Sequence, residues 1–66
     1  MKENNIILLF QQMEGEFVNA IEDVEKFVDG GNKSAGTRIR KRMQNVKNLA
    51  QKVRVEVQEQ KNSVPA

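Results

Sequence analysis

The sequence predicts an all-α protein, an antiparallel two-helix hairpin that dimerises into a four-helix bundle. Three observations carry this expectation. Apolar residues recur at alternating spacings of three and four in both halves, the mark of amphipathic helices. A Gly-Gly-Asn break separates the halves, and a connection that short makes long helices antiparallel neighbours. The apolar stripes are also wider than a lone hairpin can cover, with three phenylalanines in the first helix.

The first helix is expected over about residues 4–29. Phe10, Met13, Phe17, Ala20, Val24 and Phe27 form a heptad-like seam, Ile6 extends it backwards, and Ile21 and Val28 broaden it. Gly15 falls inside this helix at a cost of about 1 kcal/mol relative to alanine and reads as simply tolerated. The turn is placed at residues 30–32. Glycine after a helix can take the left-handed conformation that closes it, and Asn32 or Ser34 can cap the next one. The second helix is expected over about 33–60. Its stripe runs through Ile39, Met43, Val46, Ala50, Val53 and Val57, with Ala35 and Leu49 at the margin and Val55 off it. Residues 1–61 make the hairpin domain, and 62–66, without periodicity, are expected to be a disordered tail.

With 66 residues there is room for one small domain, and domains of this size usually need a disulfide, a metal or a partner subunit. There is no cysteine and no histidine, which removes the disulfide and the zinc site and leaves self-association. The longest apolar run, Ile6 to Phe10, is too short to span a bilayer. The expectation is therefore a cytoplasmic protein with no membrane partner.

Charge is segregated along the chain. Residues 1–31 carry two cations against seven acids, and residues 32–66 carry nine cations against two acids. Lys33, Arg38, Arg40, Lys41 and Arg42 crowd the start of the second helix, where unpaired N–H groups and the helix dipole already attract anions. That end needs negative charge nearby, either a nucleic-acid phosphate or the protein's own Glu22, Asp23, Glu25 and Asp29. On a helical wheel Arg38 and Arg42 flank one shoulder of the apolar stripe, while Arg40, Lys47 and Arg54 repeat at seven on the other. Lys41 and Lys52 lie on the outer face. This wrapping suits a sheath of phosphate contacts, with Thr37 and the helix-start amides as further donors, more than the reading of base edges. No aromatic residue falls within the basic segment, so base stacking is poorly served.

Catalysis has no support. The chain lacks His, Cys and Tyr, and Ser34 and Ser63 have no base partner. The carboxylates Glu22, Asp23 and Glu25 read as solvated charge, and a metal on Glu22, Glu25 and Asp29 would be weakly held. Gly30-Gly31 and Gly36 do not make a nucleotide loop, because Thr37-Arg38 stands where a P-loop needs Lys-Ser/Thr. No cofactor, metal or small-molecule substrate is expected.

The segment Gly31-Asn32-Lys33-x-Ala35-Gly36-Thr37-Arg38-x-Arg40-Lys41, followed by an amphipathic helix, resembles the bacterial linker-histone-like nucleoid proteins of the chlamydial type. The resemblance is strongest over 30–42 and extends through 43–58. It implies a nucleoid-associated helical hairpin that binds duplex DNA and compacts, bends or bridges it. Carried over residue by residue, it implies phosphate contacts from Lys33, Thr37, Arg38, Arg40 and Lys41, a turn shaped by Gly31 and Asn32, and close approach at Gly36. The chlamydial members continue into a Lys/Ala/Pro-rich tail where this sequence reads Gln60-Lys61-Asn62-Ser63-Val64-Pro65-Ala66, which implies a short form that binds weakly or as an oligomer. The rival readings are an RNA-binding helical-hairpin dimer and a coiled-coil protein-interaction adaptor.

Overall fold

The computed structural model describes residues 4–63, which form two helices, α1 (Asn5–Gly30) and α2 (Lys33–Ser63), and no strand. Each helix end follows from its local sequence. Asn4 is extended, and its side-chain oxygen accepts from the Ile6 N–H at 2.8 Å, starting α1. Gly31 closes α1 in the left-handed region at φ 63°, ψ 25°. The N–H groups of Gly31 and Asn32 then donate to the carbonyls of Phe27 and Lys26, so two of the helix-end acceptors are satisfied. Asn32, rather than Ser34, caps α2, with its side-chain oxygen 3.1 Å from the Ala35 nitrogen.

The reversal is tighter than residues 30–32, because Gly30 still belongs to α1 and only Gly31 and Asn32 lie between the helices. Gly36 lies inside α2, one turn from its start. α2 also reaches Ser63, since Gln60-Lys61-Asn62-Ser63 contains neither glycine nor proline. Residues 64–66 of the expected tail lie outside the described residues.

The helices pack antiparallel. Three cross-helix pairs fix their register: Asn5 with Glu56, Glu16 with Asn45, and Asp23 with Arg38. At the open end the amides of Asn4 and Gln60 exchange two hydrogen bonds, of 3.0 and 3.1 Å. The line of α1 turned toward α2 runs through Ile6, Leu9, Met13, Glu16, Ala20 and Asp23, all buried or half-buried. It is rotated from the apolar seam of the sequence pattern. Of that seam and its extension, Ile6, Met13 and Ala20 turn inward and Phe27 lays its ring over Gly36 of α2 while staying half-exposed, whereas Phe10, Phe17 and Val24 stay exposed to one side. Among the described residues the fully buried apolar side chains are just Ala20 and Ala35. Two buried alanines and a line of half-buried side chains are a thin core for a chain this long.

Gly15 and Gly36 differ in kind. A Cβ at Gly15 would meet nothing within 4 Å, so close helix approach does not explain that glycine. Gly15→Ala is therefore expected to raise the melting temperature, through about 1 kcal/mol of helix propensity. A Cβ at Gly36 would stand 2.7 Å from the Phe27 ring. Gly36→Ala is expected to give none of that gain, because the ring must move. Thermal melts followed by circular dichroism would compare the two.

Candidate nucleic-acid interface

The cations of α2 divide into two groups according to which way the helix turns them. Arg38 and Arg42, one turn apart, lie beside the line that faces α1, and there they meet acids. Arg38 Nε donates to Asp23 Oδ1 at 2.9 Å, and Arg42 Nη1 donates to Glu16 Oε1 at 3.2 Å. Arg42 Nε also stands 3.9 Å from Asp23 Oδ2, and it is buried without a hydrogen bond. The second oxygen of Glu16 accepts from the Asn45 amide at 3.0 Å. Glu16, Asp23, Arg38 and Arg42 thus form a cross-helix ionic cluster inside the seam. The Asp23 side chain is only 9% exposed and that of Arg42 30%, whereas Arg38 is 47% exposed and reaches solvent.

The other cations face outward. Lys33, Arg40, Lys41, Lys47 and Lys52 are exposed, and among the described residues none of them forms an ion pair. On α1 the cation Lys26 is bound to Glu22 one turn away, at 3.1 Å. The basic surface is therefore a belt over the start and outer side of α2. The Thr37 hydroxyl donates to the Lys33 carbonyl at 3.4 Å, as helical threonines commonly do. The Ala35 and Gly36 N–H groups are taken by the side chain and carbonyl of Asn32. Among the described residues the Lys33 and Ser34 N–H groups keep no hydrogen-bond acceptor, so an anion at the helix start would meet two amides, side-chain charge and the helix dipole.

Two features here go beyond the sequence pattern. Glu16 joins the acids that meet the arginines, and its place one heptad before Asp23 on the same face is the signal that marks it. Phe27 also stands among the cations: with Val24, Val28, Gly36 and Ile39 it lines a groove bordered by Lys33, Thr37 and Arg40. The space over Gly36 is filled by this ring. Gly36 thus serves helix-on-helix contact at the closed end.

Among the described residues there is no group of three or more His, Cys, Asp or Glu side chains arranged to hold a metal, and no helix is long and apolar enough to cross a membrane. A groove on one side of the hairpin is lined by Gln12, Glu16, Asn19, Asn45, Asn48 and Lys52. It holds no paired acid and base and no nucleophile placed for chemistry. Over residues 8–63 the chain matches the family described as Histone H1-like protein Hc1, and it belongs to that family. No curated protein and no solved structure matches it.

Proposed function

We propose that this member of the histone H1-like family is a non-enzymatic, nucleoid-associated protein that binds duplex DNA largely without sequence preference, as a dimer. The observation that carries this reading is the division of the cations. Two arginines are held by Asp23 and Glu16, while Lys33, Arg40, Lys41, Lys47 and Lys52 form no ion pair among the described residues. Charge that the fold does not consume, spread around a helix start and along one side, matches the repeated phosphates of a duplex. Arg38, half-exposed, exchanges Asp23 for a phosphate when DNA is present. Arg42, deeper in the seam, holds the hairpin instead. Thr37 contacts a phosphate only by turning its hydroxyl from the Lys33 carbonyl. Cytoplasmic residence and compaction of DNA follow from the same reading.

A mobility-shift titration on random-sequence duplex DNA, at low and near-physiological salt, tests it. Micromolar or tighter binding that falls steeply with salt and is indifferent to sequence is the expected result, because each neutralised phosphate releases counterions. Absence of a shift at low salt would reject it. Stronger competition by RNA than by duplex DNA would move the site to RNA.

A further inference from the structure

We propose that the apolar face of the hairpin is the docking surface for a second copy, stacked so that both turns lie at the same end and each α1 lies over the partner's α2. This deepens the dimer named above and fixes its geometry. The molecule measures 53 × 22 × 13 Å, one helix thick, so it is a single layer where stable domains have at least two. Its two broad sides differ. One carries the polar groove of Gln12, Asn19, Asn45 and Asn48. The other carries Ile7, Phe10, Phe17 and Ile21, then Val24 and Val28 toward the turn, all at least two-fifths exposed. Because the helices run antiparallel, the stripe of α2 through Ile39, Met43 and Val57 turns to this same side. A face of this length and width has the area that one partner contributes to a stable interface, ~800 Å².

A second copy is the occupant because the face complements itself. Two twofold arrangements bury it. One sets α1 on α1 and α2 on α2 with the turns at opposite ends, bringing acid to acid and base to base. The other sets the acidic α1 on the partner's basic α2. The edge of the apolar face is lined on α1 by Glu14 and Glu25 and on α2 by Arg40, Lys47 and Arg54. The register set by Asn5–Glu56, Glu16–Asn45 and Asp23–Arg38 puts Glu14 level with Lys47, so in the second arrangement Glu14 meets the partner's Lys47. Exposed pairs are worth only ~0–1 kcal/mol each, so apolar area drives association and charge selects the orientation. Both basic helix starts then share one end, which suits one duplex held by two copies better than two duplexes bridged from opposite ends.

The chain has no cysteine, so Gly30→Cys introduces a single spin-label site at the turn, where an added side chain meets nothing. Sedimentation of this protein is expected to give a dimer, and label-to-label distances are expected on the order of 20 Å, the width of a bundle. Distances near the hairpin's length of 53 Å would overturn the same-end arrangement while leaving the dimer intact. A helical monomer at all concentrations, or a tetramer, would overturn the pairing altogether. Phe17→Asp is expected to abolish the dimer. Because that variant risks unfolding, charge reversal supplies the second readout. Glu14→Lys and Lys47→Glu should each weaken association several-fold, and together they should restore it. Failure of the pair to restore association would reject the contact. DNA binding is scored separately by mobility shift on Glu14→Lys, which leaves every proposed phosphate contact in place, and so distinguishes failure of the pairing from failure of the DNA reading.

Discussion

Charge reversal at Lys41 and Lys52 together is expected to weaken duplex DNA binding at low salt by about 10- to 100-fold and to lower the salt slope by about 2. Lys41 lies on the outer side of α2 and Lys52 on the rim of the polar groove, both exposed and away from the apolar face, so Lys41→Glu with Lys52→Glu removes phosphate contacts without touching the apolar packing. Helix content and sedimentation should stay as in the parent chain. The comparison that gives the experiment its force is Arg42→Gln. Arg42 sits in the same basic run of sequence, but its guanidinium is committed to Glu16 and Asp23. That substitution is expected to lower stability and to leave the salt slope nearly unchanged once the protein is folded. Equal losses of slope in the two variants would mean that the ionic cluster opens fully on DNA. No loss of affinity in the double reversal would remove the outer face of α2 from the interface.

The hairpin was legible because its punctuation is unambiguous. Gly30-Gly31-Asn32 interrupts two long periodic segments, and Gly31 and Asn32 perform the closing and capping that those residue types allow. The rotation of α1 was less legible. Apolar residues cover so much of its circumference that two parallel lines compete: one through Phe10, Phe17 and Val24, the other through Leu9, Glu16 and Asp23. Hydrophobic periodicity favours the first, since the second carries two acids. Those acids are what match Arg38 and Arg42 across the hairpin, so within one copy cross-helix charge pairing outweighs apolar count. The candidate site inherits the same difficulty. Its cations could be named from sequence, but which of them the fold consumes depends on that rotation. Phe10 and Phe17, turned away by it, are then available to a second copy.

Asp23 is the residue on which the folded hairpin most depends. Its carboxylate, nearly enclosed, lies between two guanidinium groups, 2.9 Å from Arg38 Nε and 3.9 Å from Arg42 Nε. Asp23→Ala leaves Arg42 in the seam with Glu16 alone, while its buried Nε faces an apolar methyl group. Breaking a fully buried pair costs ~3–5 kcal/mol, and the partial exposure of both arginines lowers the expected loss to about 2 kcal/mol. For a helical bundle this small, that is a large share of the total stability. Replacing the three enclosed members of the cluster as a unit should behave differently. With Asp23→Leu, Arg42→Leu and Glu16→Leu together, only Arg38 loses its partner, its half-exposed guanidinium stays in water, and apolar side chains continue the line already made by Leu9, Met13 and Ala20. The triple variant is expected to be at least as stable as the parent in a denaturant melt, as buried ion pairs replaced by packed apolar groups often are. It should also associate less selectively, because the polar layer that fixes the rotation of α1 on α2 is gone and the phenylalanine line competes for the seam. A triple variant as unstable as Asp23→Ala would show instead that the cluster supplies net stability, with the arginine stems and hydrogen bonds packing better than leucine can.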